Sequence, residues 1–205
     1  LDILILGAGM MGKALAFDLN KFSDFETITI AERNNEKLQI ISKTINSEKI
    51  ELRYIDIKNK KSLTSLFKNY EIAISAVPYK YNFFLAKTAI ETNTHFLDLG
   101  GNNEIVEKER GLFDSAKEND VTIIHDCGLA PGLSSVIVRD LVEQLDKIDF
   151  VKIRVGGLPV NPRPPFNYQT VFSPNGLINE YAEDAIVLQD HEIVKKKSMT
   201  EIERI

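Results

Sequence analysis

The residues with the most chemistry to offer are the glycines Gly7, Gly9 and Gly12, together with a carboxylate, Glu32, placed 20 residues after Gly12. Gly7 suits a tight strand-to-helix turn, Gly9 leaves room for a pyrophosphate to approach the backbone, and Gly12 lets a helix pack close to a strand. Before them, Asp2-Ile3-Leu4-Ile5-Leu6 is nearly unbroken apolar sequence, as in a parallel strand buried on both faces. The stretch from Met10 to about Phe22 reads as a helix whose free N–H groups and positive dipole end face phosphates, with Met10 and Met11 at its mouth. Leu15, Leu19 and Phe22 fall at helical spacing, so one face is expected to pack on a sheet. Thr27-Ile28-Thr29-Ile30-Ala31 is a second strand, closing on Glu32 where a carboxylate would accept hydrogen bonds from ribose hydroxyls. Arg33 either pairs with the ribose phosphate of NADP or is a solvated residue stacked on the adenine. The expected cofactor is NAD, with NADP left open.

Positioning these residues requires a sheet, and the rest of the chain supplies its elements. Residues 34–46 read as a second helix, capped by Asn34 or Asn35, and residues 50–55 as a third strand ending at Asp56, either beside an adenine or as a turn former. A helix over 62–70 precedes a fourth strand over 71–77 that ends on Val77-Pro78-Tyr79. Ligands of open α/β sheets bind beyond the carboxyl ends of strands, so Val77 and Pro78 should lie against the cofactor. Tyr79 either reaches the reacting groups or packs in the core. Helices over 83–92 and 105–119 alternate with strands over 95–99 and 121–125. This alternation implies a Rossmann fold, a doubly wound parallel sheet with right-handed crossovers, over residues 1–133. The loop from Asp126 to Ser135 opens a helix over 134–145 whose N-terminus is expected to face the cleft. Beyond it the pattern turns β-rich, with strands expected over 151–155 and 168–172. Residues 134–205 are therefore read as the start of an α+β substrate domain.

Composition narrows the function classes. The chain of 205 residues has 43% hydrophobic and 27% charged residues, ordinary for a globular protein, and a net charge of −5 that gives no reason to expect nucleic acid or an anionic membrane as partner. No apolar run approaches the roughly 20 residues of a spanning helix, and no signal sequence precedes the first strand, so a cytoplasmic location is expected. Cys127 is the single cysteine, and His95, His125 and His191 lack metal-ligand spacing. Leu1 is not an initiator methionine and the sequence stops mid-pattern at Ile205, as expected of a piece of a longer polypeptide.

Five stretches in order resemble the saccharopine dehydrogenase-like oxidoreductases, in particular the branch of saccharopine reductase and lysine 6-dehydrogenase. They are Gly7-Ala8-Gly9-Met10-Met11-Gly12, Val77-Pro78-Tyr79, Cys127 to Gly132, Val155-Gly156-Gly157-Leu158-Pro159 and Ser173 to Tyr181. The resemblance implies nicotinamide-dependent oxidation of a C–N bond in an amino acid, or the reverse reduction of an imine. That chemistry asks for a general base, for which Asp98 and Asp126 at strand ends are the available carboxylates, with Tyr79 beside them. Both aspartates could equally serve as caps or turn formers. Pro78, Tyr79 and the stretch from Cys127 to Gly132 are expected to floor the nicotinamide site. An amino-acid substrate needs an arginine fork, which Arg163 could supply unless it is merely solvated; Glu180 and Tyr181 could meet its ammonium, or Glu180 could pair within a helix. A homodimer is the expected assembly, and a catalytically silent dinucleotide-binding sensor or structural subunit is the alternative to an enzyme.

Overall fold

A computed structural model describes residues 1–169 and 174–200 and divides the chain into two compact units. The first comprises Leu1–Gly100 with Glu104–Asp146, and the second Gly101–Asn103 with Lys147–Ile205.

In the first unit, strands β1 (Asp2–Leu6), β2 (Thr27–Glu32), β3 (Ile50–Tyr54), β4 (Ile72–Ser75), β5 (His95–Asp98) and β6 (Ile123–Ile124) form one sheet in the order β3-β2-β1-β4-β5-β6. Every pairing is parallel. The connections are helices α1 (Met10–Phe22), α2 (Asn35–Thr44), α3 (Lys60–Phe67), α4 (Asn82–Thr92), α5 (Asn103–Arg110) and α6 (Phe113–Glu118). This is the expected doubly wound sheet. Its strand order reverses between β1 and β4, which are joined in register from Ile3–Ile72 to Leu6–Ser75. A crevice must open there beyond the strand ends, because the connections leave to opposite faces.

Alternation along β1 divides the core. Leu4 and Leu6 pack on one face with Leu63, Phe67, Leu85 and Phe96, while Ile3 and Ile5 pack on the other with Ala16, Ile28, Ile30 and Ile41. Leu15 and Leu19 join the second layer, but Phe22 does not: it is 70% exposed, with the Lys21 ammonium 4.9 Å from its ring centroid. Of the buried polar groups, Ser75 Oγ donates to Asn82 Oδ1 at 2.8 Å, fixing the end of β4 to the start of α4. At Gly12 a Cβ would collide with the Gly7 carbonyl. Gly12→Ala should therefore destabilise the unit by about 1–3 kcal/mol, measured as a lowered urea midpoint.

Several boundaries differ from the sequence reading. The helix expected over 105–119 breaks at Gly111-Leu112 into α5 and α6, and the sixth strand shrinks to two residues because only Phe96 and Leu97 face it in register. Helix α7 (Leu133–Glu143) is grouped with the first unit, which runs to Asp146. Its first amides are consumed locally: Leu133 N–H donates to Gly128 O at 2.9 Å and Ser134 N–H to Leu129 O at 3.0 Å, so this N-terminus does not offer them to a ligand.

In the second unit, residues 151–155 form no strand and are exposed, since no partner strand pairs with them among the described residues. Tyr168 and Gln169 are also outside any strand, and the remainder of the strand expected there lies outside the described residues. What forms instead is helix α8 (Pro174–Ala182) and an antiparallel hairpin of β7 (Ala185–Gln189) and β8 (Glu192–Lys196). Asp190 and His191 make its turn with φ of 52° and 67°, the left-handed values that a two-residue hairpin requires. Residues 101–103 are held in this unit by Asn102 Nδ2 donating to Glu183 Oε1 at 2.6 Å and Asn179 Nδ2 to Gly101 O at 3.0 Å.

Candidate cofactor cleft and carboxylate cluster

The crevice at the strand-order reversal is a cavity of about 280 Å³. It is lined by Gly7 and Gly9, by Ala31 to Arg33 with Lys37, by Ile55 to Lys58, and by Ala76 to Pro78 with Lys80 and Tyr81. Gly7 turns the chain from β1 with φ of +102°; a Cβ there would meet the Ala76 carbonyl oxygen at 2.7 Å. Gly9 is different. A Cβ at this position meets nothing within 4 Å, so the missing side chain serves no packing need of the protein.

Gly9 is also the N-cap of α1 and makes no side-chain capping bond, and the first turn carries no acidic residue. The neighbouring helices are capped: Asn34 Oδ1 accepts from Glu36 and Lys37 N–H, and Asn59 Oδ1 from Ser62 N–H. Free first-turn amides and an unopposed helix dipole over open space are what an anionic pyrophosphate needs. The residues present thus fit a dinucleotide.

Glu32 is held firmly. Its Oε2 accepts from Ala8 N–H at 3.1 Å, and its Oε1 from Arg33 N–H at 2.8 Å and Asn34 N–H at 3.0 Å. Lys37 Nζ stands 3.8 Å from Oε2. Asp56 lines the same cavity and also acts as a turn former, its Oδ1 accepting from Lys58 N–H at 3.0 Å. Arg33, Lys37, Lys58 and Lys80 bring four cations to a cavity with two carboxylates.

The remaining sequence candidates scatter. Val77 and Pro78 line the cleft, whereas Tyr79, half-buried in a 3-10 turn (Tyr79–Tyr81), does not; Tyr81, which sequence reasoning missed, does. Met10 and Met11 are 72% and 52% exposed and lie outside the lining, as does Cys127. Burial, then the carboxylates of Asp98 and Asp126, pushes the Cys127 thiol up, so it is a neutral packing group. Arg163, Glu180 and Tyr181 lie exposed in the second unit.

A second group of polar side chains gathers at the carboxyl ends of β5 and β6. Asp98 is fully buried; its Oδ1 accepts from Gly100 N–H at 2.6 Å, while its backbone carbonyl accepts from Cys127 N–H at 2.7 Å. Burial pushes its carboxyl above the usual range against the opposing pull of the Gly100 amide. Asp126, with φ of 60°, meets His125 at 3.2 Å, and Arg110 Nε reaches His125 Nε2 at 3.4 Å. From α5, Glu109 inserts its carboxyl against Asp98, a residue that single-sequence periodicity could not distinguish from its exposed neighbours. Among the described residues no group of three or more His, Cys, Asp or Glu could hold a metal ion. No helix among them is long and apolar enough to cross a membrane.

A parallel sheet of this order with an uncapped glycine-rich turn at its reversal defines a dinucleotide-binding Rossmann domain. Residues 3–124 match the saccharopine dehydrogenase NADP binding domain and residues 128–204 the saccharopine dehydrogenase C-terminal domain, and the chain belongs to the saccharopine dehydrogenase family. It is 24% identical over 198 residues to the mitochondrial alpha-aminoadipic semialdehyde synthase of Mus musculus, covering 94% of this chain and 21% of that protein. It is 23% identical over 198 residues to the NADP(+), L-glutamate-forming saccharopine dehydrogenase of Saccharomyces cerevisiae, covering 94% and 43%. The chain thus spans less than half the length of these relatives. In fold it is similar to apo saccharopine dehydrogenase (L-Glu forming) from S. cerevisiae, with a TM-score of 0.70 at 20% identity over 96% of this chain and 44% of that one.

Proposed function

We propose that this chain forms the dinucleotide-binding part, and the start of the substrate-binding part, of an NADP-dependent oxidoreductase that oxidises a C–N bond of a saccharopine-type amino acid or reduces the corresponding imine. The observation that carries this reading is the uncapped α1 N-terminus above the open Gly9 position, in a cleft with four cations. The family and the names of its relatives supply the reaction class. When bound, the dinucleotide would supply a hydride acceptor at its nicotinamide ring.

NADP is favoured over NAD because the Glu32 carboxylate, the reason for expecting NAD, is satisfied by three backbone N–H groups and stands beside Lys37. Its repulsion of a ribose phosphate is thereby blunted, while Arg33 and Lys58 flank the same space. Titration with each cofactor should give a lower dissociation constant for NADP. Arg33→Ala should weaken NADP roughly tenfold, in line with one lost charge-assisted contact, and change NAD little. Equal losses for both cofactors would place Arg33 over the adenine instead.

Asp126, the accessible carboxylate of the β5–β6 cluster, is the residue to take the proton from the substrate amine, with the buried Asp98 near it and the Tyr79 hydroxyl as further groups for the same proton. The exposed Arg163, with Glu180 and Tyr181, would receive the carboxylate and ammonium of an amino-acid substrate in a homodimeric full-length enzyme. Arg163→Ala should then raise KM roughly tenfold through loss of a charged contact with cofactor affinity intact. Incubation with NADP and saccharopine, read as growth of reduced cofactor, tests the activity; binding of NADP without turnover of any amino acid would favour a sensor.

A further inference from the structure

We infer that Glu109 is a positioning residue for Asp98: it stays a neutral acid at physiological pH and donates its proton to Asp98 Oδ2, so that two buried carboxyls hold one proton between them. This deepens the reading of the β5–β6 cluster as the proton-handling part of the site.

Geometry carries the inference. Glu109 is 3% exposed and Asp98 0% exposed. Asp98 Oδ2 and both Glu109 carboxyl oxygens find no hydrogen-bond donor among the described residues. Two ionised carboxylates cannot satisfy each other, because both only accept, and three donorless buried oxygens on two negative charges would cost several kcal/mol. One proton resolves this, turning one acid into a donor to the other.

Among the described residues, the surrounding cations are engaged elsewhere. On α5 itself, Lys108 pairs with Glu104 at 2.6 Å and Arg110 with Glu107 at 3.0 Å, both on the exposed side. From the loop after β6 come Asp126, a further negative charge, and His125, which is engaged by Asp126 and Arg110; Cys127 is a neutral thiol. The proton settles on Glu109 rather than Asp98 because Asp98 Oδ1 already accepts the Gly100 N–H, which stabilises its ionised form. Burial, reinforced by the charges of Asp98 and Asp126, pushes Glu109 up to about 8.

The test is a pH titration of the full chain with carbon-13 in the aspartate and glutamate carboxyls, read by NMR. One glutamate carboxyl should remain protonated through neutral pH and titrate near 8, with one aspartate resonance moving in the same step. Glu109→Gln should abolish both changes, since the amide still donates to Asp98 but cannot titrate. Asp98→Asn should shift the glutamate midpoint downward, which keeps the test decisive if the glutamine variant does not fold. Ordinary titration of every glutamate, or a high-titrating glutamate that survives Glu109→Gln, would overturn the inference. The measurement reads the shared proton alone, so its failure is distinct from failure of cofactor binding or turnover.

Discussion

Replacing Gly9 with valine should abolish dinucleotide binding while leaving the fold intact. Most substitutions in a glycine-rich turn confound these effects, and the structure separates them position by position. Gly7 and Gly12 have protein backbone where a Cβ would go, so their variants report on folding. Gly9 has open cleft there, and its backbone lies in the ordinary extended region with φ of −73°. A valine side chain would therefore project into the space over the α1 N-terminus that a pyrophosphate must enter. Losing two amide-to-phosphate hydrogen bonds, at about 1.5–3 kcal/mol each for charged partners, weakens binding roughly a hundredfold or more. Circular dichroism and the urea midpoint should match the parent protein. Undiminished affinity in a folded Gly9→Val chain would move the cofactor elsewhere.

The second large effect is a pH dependence of stability that rests on one side chain. The Glu109 carboxyl is raised from 4.5 to about 8 in the folded protein, so between these values the native state holds a proton that the unfolded chain has released. Its stabilising contribution is full below the unfolded value and is lost as pH rises through the folded one. At 1.36 kcal/mol for each pH unit, the loss is on the order of 5 kcal/mol. Urea denaturation at about pH 5 and about pH 9 should show Glu109→Gln gaining stability over the parent as pH rises, because the amide keeps the hydrogen bond and cannot ionise. Parallel stability curves for the two proteins would mean that Glu109 is ionised at neutral pH.

Much of the first unit was legible because its signals are local. The apolar run of β1, the glycine spacing and the strand closing on Glu32 each follow from backbone sterics or two-faced burial, and the α1 bounds match the expected ones. Asn34 caps α2 as its type predicts. The second unit was poorly legible for the opposite reason. Val151 to Val155 alternates like a strand, yet alternation yields a strand only where a neighbouring chain supplies hydrogen bonds. The β7–β8 hairpin went unread because its turn uses Asp190-His191, where the left-handed conformation is usually announced by Asn-Gly or Asp-Gly.

The candidate site divides along the same line. Gly7, Gly9, Glu32, Arg33, Asp56, Val77 and Pro78 line the cleft because sheet topology alone carries them there. Lys37, Lys58 and Tyr81 complete it from ordinary helix and turn sequence, and no motif marks them. Glu109 was invisible because its significance lies wholly in burial against Asp98, a contact made by the fold between a helix and a strand end.

The most direct test of the central claim is a titration of the 205-residue chain with NADPH, followed residue by residue through backbone amide NMR shifts. The account predicts saturable binding with the largest changes at Gly7 to Gly12, Glu32 to Lys37, Asp56 to Lys58 and Ala76 to Tyr81. A folded chain that shows no saturable change, or changes centred away from these four segments, would contradict it.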